Sequence, residues 1–155
     1  MKMSVVEKIR NLLYAAGVPY EYKEHEEART SEESAKARGE DISIGAKAMV
    51  LKCGDKLYMF ILSASKKIDM KRVRELTGEK NVRFASPEEV VEKTGCLPGG
   101  VPPFPGVLGL EGWVDSSVFE NEMMAFNAGE RTKSIRMNSE DYRKAVRPKV
   151  EEFSN

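Results

Sequence analysis

The 155-residue sequence has one histidine, two cysteines and one tryptophan. With His25 alone, and no Cys/His cluster at metal-ligand spacing, a zinc site is not expected, and neither is any other metal or cofactor. Cys53 and Cys96 lie far apart and form no C-x-x-C pair. They read as reduced, buried thiols of a cytoplasmic protein, not as a disulfide. Charge of one sign is also missing: 25 Lys and Arg balance 25 Asp and Glu. Bulk attraction to nucleic acid is thereby excluded, and any such contact must come from local basic patches. No apolar run is long enough to span a membrane, so a membrane partner is not expected. Met1 to Arg10 carries scattered charges and no apolar segment of a secretory leader. Repeats, low-complexity stretches and linkers are absent too, so residues 1–155 read as a single domain large enough for its own core.

What the chain does have is a loop of unusual composition, Gly95-Cys96-Leu97-Pro98-Gly99-Gly100-Val101-Pro102-Pro103-Phe104-Pro105-Gly106. Four of the seven prolines fall in it, beside paired glycines. Such a run forms neither helix nor central strand. It is either a stiff connector or a rigid cradle whose glycine amides aim N–H groups at developing negative charge.

Around this loop the patterning alternates irregularly between helix and strand. Ser4–Ala16 reads as an amphipathic helix stopped by Gly17, and 19–25 as a strand. Thr30-Ser31-Glu32-Glu33 has capping-box form and starts a helix ending near Gly39. Ala46–Cys53 and Leu57–Ala64 form a hairpin about Gly54-Asp55-Lys56. Asp69 caps a helix that ends at Gly78, and Val82–Phe84 is a short strand. Ser86-Pro87-Glu88-Glu89 is a second capping box, and its helix runs to Thr94. Val107–Val114, Met123–Asn127 and Lys133–Met137 are expected strands, and Asn138 caps a last helix. Hairpins mixed with helices indicate an α+β fold with a mixed sheet.

Several side chains could carry chemistry. Lys47 lies inside Ala46-Lys47-Ala48-Met49-Val50-Leu51, a strand with two apolar faces. Its ammonium either snorkels out at the strand end or points into a pocket and meets an anion. His25 is either a general base or a surface strand histidine with a hydrogen bond. Cys96 is either a nucleophile, which needs a positive neighbour or a base, or a packing thiol. Lys66, Lys67, Lys71, Arg72, Arg74, Lys80 and Arg83 gather around one expected helix, as a solvated face or a phosphate-backbone patch. Arg131 sits in a hairpin turn, where a guanidinium fork can grip phosphate or carboxylate.

In their order and spacing, these segments resemble the YbaK/ProX-type aminoacyl-tRNA editing domains, relatives of the editing insertion of bacterial prolyl-tRNA synthetases. The resemblance runs from about His25 to Tyr142. It rests on Thr30-Ser31-Glu32-Glu33-Ser34-Ala35, on the Lys47 strand, on Asp69-Met70-Lys71-Arg72-Val73 and on Arg83 to Val90. It rests further on Thr94 to Phe104 and on Ala128-Gly129-Glu130-Arg131 with Ser134-Ile135. The resemblance implies a strongly curved mixed sheet flanked by helices, with a central pocket. It implies hydrolysis of the ester joining a wrong amino acid to the 3′ end of a tRNA, most plausibly tRNA for proline carrying alanine or cysteine. The mischarged tRNA is then the partner, with a synthetase as a second one.

By the same resemblance Lys47 holds the substrate's 3′ end, and the G-x-x-x-P loop runs from Gly99 to Pro103. Gly99, Gly100 and Val101 offer amides to the carbonyl, with Pro103 closing the motif. Thr30, Pro102, Phe104, Asn127, Gly129 and Arg131 are the implied substrate contacts. An aminoacyl ester is already activated, so positioning suffices and no strong nucleophile is needed. This chain has Pro105-Gly106 where many relatives have Gly-His, and Asn127 where they often have a small residue. The first departure motivates an alternative: a catalytically silent module that binds tRNA ends or aminoacyl-adenosine-like ligands. A cysteine enzyme using Cys96 is the third reading.

Overall fold

The computed structural model describes residues 3–155. The helices are α1 (Val5–Ala16), α2 (Ser31–Arg38), α3 (Met70–Thr77), α4 (Pro87–Thr94) and α5 (Ser139–Val146). The strands are β1 (Glu21–Glu24), β2 (Ala46–Cys53), β3 (Lys56–Ser63), β4 (Val82–Phe84), β5 (Glu111–Asp115), β6 (Met123–Asn127), β7 (Lys133–Asn138) and β8 (Lys149–Glu151). None of the described helices is long and apolar enough to cross a membrane.

Local chemistry sets most boundaries. Ser4 and Ser86 complete both arms of their capping boxes, with Glu7 and Glu89. Thr30 caps α2 through the Glu33 N–H, but the Glu33 carboxylate accepts from the Arg29 N–H instead of closing the box on Thr30. The expected strand Val107–Val114 is shorter than its apolar run suggests. Pro105–Leu108 is a turn of 3-10 helix, closed by the Leu110 N–H on the Pro105 carbonyl, and β5 begins only at Glu111. Strand β8 was not expected. Lys149-Val150-Glu151 is too short for its alternation to be read as a strand, and it becomes one because β5 offers it a parallel edge.

The class is α+β with mixed pairing, as expected, but the strands divide between two sheets. One is antiparallel, in the order β1-β7-β6. The other is mixed, in the order β4-β2-β3-β5-β8. There β2 pairs antiparallel with β3 and β4, while β3–β5 and β5–β8 are parallel. A parallel bridge, Gly45 to Ala125, links the two sheets. The larger sheet is covered on both faces, which explains the near-continuous apolar runs of β2 and β3. Ile9, Leu13, Val50, Met59, Ile61, Phe126 and Tyr142 belong to the main core. Leu51, Phe60, Leu62, Val73 and Phe153 fill the other side, against α3 and the C-terminal segment. The start of β2 lies where the two sheets meet, and that junction leaves a hollow.

Candidate active site

The hollow is a cavity of about 350 Å³. Its walls are α2, the start of β2, the end of β6 and the Gly/Pro loop. A volume at the lower end of ligand-pocket sizes suits a small acyl group and part of a ribose. Of the residues expected at the site, Lys47, Gly99, Val101, Thr30 and Asn127 line this cavity.

Lys47 is half-buried, one residue into β2. It forms no ion pair among the described residues. Burial holds its ammonium below the usual lysine range; Glu32 pulls the other way and Lys67 adds to the lowering. A cation kept half out of water without a carboxylate is poised for an anionic or strongly polar guest.

The Gly/Pro loop is pinned through its carbonyls. Arg131 Nε donates to the Pro98 carbonyl at 2.7 Å, and Asn127 Nδ2 to that of Gly99 at 2.5 Å. The Gly129 N–H donates to the Gly100 carbonyl at 2.9 Å, and the Tyr142 hydroxyl to that of Pro103 at 2.5 Å. In a planar trans peptide the following N–H points opposite to the carbonyl. Holding Gly100 from behind therefore turns the Val101 N–H away from Gly129, and holding Pro98 does the same for the Gly99 N–H. Neither of these two N–H groups has a hydrogen-bond partner among the described residues. The Gly100 N–H does not join them, because it donates to the Leu97 carbonyl at 2.9 Å. The expected trio of amides is therefore a pair. Gly99 is required in place: its φ is +88°, and a Cβ there would lie 2.7 Å from the Arg29 carbonyl oxygen.

Asn127 is buried, and its amide is used on all sides. Besides Gly99, its Nδ2 reaches Ser34 Oγ at 3.2 Å. Its Oδ1 accepts from Ser134 Oγ at 3.1 Å and from Arg38 Nη1 at 3.4 Å. The pattern fixes the amide orientation, since a flipped amide would face the Gly99 carbonyl with its own oxygen. His25 joins through Ser134: its Nε2 lies 2.6 Å from Ser134 Oγ and its Nδ1 lies 2.7 Å from the Glu26 carbonyl. His25 is thus a strand-end histidine held in a network behind the cavity, which it does not line.

Other expected contacts are corrected. Phe104 is 1% exposed and packs edge-on against Phe126 and Tyr142, so it is a core residue. Pro102 and Pro103 are buried beside it and stiffen the loop without lining the cavity. Gly100 does not line it either. Gly129 faces α1, where a Cβ would come within 3.0 Å of Val5 Cγ1. Arg131 is consumed by Pro98 and by Glu27 at 3.1 Å. Cys96 is buried at the end of α4, and burial pushes its thiol up, which favours the packing-thiol reading. Pro105 and Gly106 sit in the 3-10 turn and do not border the cavity.

Among the basic residues, Arg72 pairs with Glu75, and Arg83 makes a bidentate contact with Glu89. Of this patch, Lys67 is the residue whose charge acts on Lys47, adding to the lowering of its ammonium. No group of three or more His, Cys, Asp or Glu among the described residues could hold a metal. Sequence reading missed Ser31, Ser34 and Arg38, which line the cavity from one face of α2 at i, i+3 and i+7. The signal was available: α2 has no apolar stripe, and a helix whose inward face carries serine and arginine is not there to fill a core.

This arrangement can be set beside known proteins. Residues 25–145 match the model of the aminoacyl-tRNA editing domain. The chain belongs to that family. It is 32% identical over 147 residues to the multifunctional Ser/Thr-tRNA deacylase ProXp-y of Escherichia coli K12, covering 92% of this chain and 88% of that one. It is also 37% identical over 105 residues to the proline–tRNA ligase of Shouchella clausii, 67% of this chain but 18% of the ligase. The fold agrees with the crystal structure of the hypothetical protein APE2540, with a TM-score of 0.85 at 24% identity over 96% of this chain and all of the other. It agrees also with that of a candidate trans-editing enzyme for prolyl tRNA synthetase, with a TM-score of 0.79 at 22% identity over 100% and 99% of the two chains. Relatives in this family are aminoacyl-tRNA deacylases, hydrolases of the ester bond.

Proposed function

We propose that this chain is a trans-editing deacylase that removes a small, wrongly attached amino acid from the 3′ end of a tRNA in the cavity between α2, β2 and the Gly/Pro loop. The observation that carries the reading is an unpartnered, half-buried Lys47 in one small cavity with Gly99 and Val101, whose N–H groups have no hydrogen-bond partner among the described residues. Lys47 binds the terminal phosphate or ribose and fixes the ester. The Gly99 and Val101 N–H groups stabilise the charge that grows on the carbonyl oxygen. Water attacks the carbonyl carbon. The bond to the ribose oxygen then breaks, and that oxygen takes up a proton. With water as nucleophile, the products are a free amino acid and an uncharged tRNA end. No side-chain nucleophile is required, because the ester is already activated and most of the acceleration comes from holding it.

A silent binding module is disfavoured by the same geometry. The Pro105-Gly106 departure that motivates it lies outside the cavity wall. The substrate identities come from two directions. The prolyl-tRNA synthetase relationship points to tRNA for proline carrying alanine or cysteine. The similarity to ProXp-y adds serine and threonine. The test is a deacylation panel with tRNA for proline charged with alanine, cysteine or proline, alongside seryl- and threonyl-tRNA. Release of one or more of the small amino acids, with prolyl-tRNA spared, supports the proposal. An inert protein that still binds the charged ends would favour the binding module.

A further inference from the structure

The inward face of α2 ends on a buried arginine, and the guanidinium is only partly used. Arg38 has 7% of its side chain exposed and Glu40 has 9%, and the two meet at 2.6 Å through Arg38 Nε. Arg38 Nη1 spends its hydrogens on Asn127 Oδ1 and Ser134 Oγ, both at 3.4 Å. Nη2 makes no hydrogen bond with the described residues. Yet no fully buried side-chain nitrogen or oxygen among them lacks a partner. Nη2 must therefore open onto free space. That space is the cavity: Nη2 is 3.3 Å from the point where a Cβ on Gly45 would stand, and Gly45 is part of the same wall. Gly45 takes no part in the smaller hollow on the other side of Arg38, which Glu40 and Arg136 border. The bare Gly45 leaves the amino group uncovered.

Glu40, which meets Arg38 at 2.6 Å and Arg136 more loosely at 3.9 Å, offsets most of the charge of Arg38, so the cavity meets a pair of fixed donors more than a full cation. Donors in that setting suit a neutral oxygen. We infer that Arg38 is a specificity-determining residue whose Nη2 group donates to a hydroxyl on the side chain of the esterified amino acid. The cavity then takes hydroxyl-bearing aminoacyl groups ahead of alanine, which has the same skeleton without the oxygen. This rests on the proposal that the cavity receives the aminoacyl end. Ser31 and Ser34 keep the approach to Arg38 polar. An alanyl group leaves the Nη2 donors facing a methyl, and a site built to pair a substrate hydroxyl rejects the analogue that lacks it.

The test uses two stable analogues, 3′-seryl-amido and 3′-alanyl-amido adenosine, in which an amide replaces the ester. Each is titrated calorimetrically against the wild type, Arg38→Met and Arg38→Lys. The expected result is that the wild type binds the seryl analogue about tenfold or more tighter than the alanyl one. Both variants should bring that ratio to about one, through a larger loss of seryl than of alanyl affinity. Lysine keeps a cation beside Glu40, so it serves if the methionine variant does not fold. Equal wild-type affinities, no binding of either analogue, or a seryl preference that survives in both variants would overturn the inference. So would an equal loss of affinity for both analogues, the mark of a purely structural arginine. Deacylation is scored separately: a seryl preference without turnover would sink the hydrolytic reading and leave the role of Arg38 standing.

Discussion

Replacing Asn127 by alanine should unlatch the loop that carries the two free amides. The side chain makes two short bonds, to the Gly99 carbonyl at 2.5 Å and from Ser134 Oγ at 3.1 Å, and two longer ones, to Ser34 and from Arg38. At roughly 1 kcal/mol net for each short bond, and about 1 kcal/mol more for partners left unpaired in a buried site, the loss is about 3 kcal/mol. Urea denaturation should show it as a lower midpoint at unchanged slope. Activity should fall further than stability explains, because Gly99 is held at φ +88° by what surrounds it. A displacement of about 1 Å at the amide pair would cost about a hundredfold in rate. Asn127→Asp is the sharper control: it keeps size and acceptor oxygens but turns a carboxylate oxygen toward the Gly99 carbonyl, and should be as inactive as alanine. An alanine variant with stability within about 0.5 kcal/mol of wild type and a full deacylation rate would refute the clasp.

Three further outcomes follow from local geometry. Gly99→Ala drives a Cβ to 2.7 Å from a backbone oxygen at positive φ, so it should cost about 2 kcal/mol in thermal or urea unfolding and abolish deacylation. Asp115→Ala should destabilise by about 3 kcal/mol. That carboxylate is 1% exposed and accepts from the N–H groups of Phe153 and Ser117 and from Ser154 Oγ, tying the C-terminal segment to β5. The Arg83 guanidinium and the Ser86 N–H together hold Glu89 down to about 2, against an ordinary value of 4.5. A depressed carboxylate contributes stability that is present above 4.5 and lost as pH falls toward 2. The stability gap between wild type and Glu89→Gln, followed by urea unfolding across pH, should therefore be constant above 4.5 and close below it; a gap that does not narrow in acid would contradict this.

The helices were legible because their ends carry their own chemistry: Thr30, Asp69, Ser86 and Asn138 each cap the helix assigned to them, and Ser4, read as the first residue of its helix, is its cap. The β2–β3 hairpin was legible from two long apolar runs about Gly54-Asp55. Strand β8 was not, since an edge of three residues owes its form to the neighbour it pairs with. In the site, Lys47 stood out because an ammonium inside an apolar strand demands an explanation. The roles of the loop residues did not follow from their motif. Whether an amide is free depends on which carbonyl is pinned behind it, and the pins are Asn127, Gly129, Arg131 and Tyr142, all remote in sequence. Phe104 and Arg131 were misplaced for the same reason, because an aromatic ring and a guanidinium serve a core or a clasp as readily as a substrate. Arg38 was invisible because the carboxylate that balances it and the glycine that uncovers it are set by the fold.

The most direct test of the account is the single-turnover deacylation rate of Lys47→Ala on the charged tRNA that the wild type hydrolyses fastest, measured beside its melting temperature. Removing a half-buried, unpaired ammonium should leave the melting temperature equal or higher and reduce the rate by about a hundredfold or more. A variant that melts as the wild type does and deacylates at the wild-type rate would place the reaction somewhere other than this cavity.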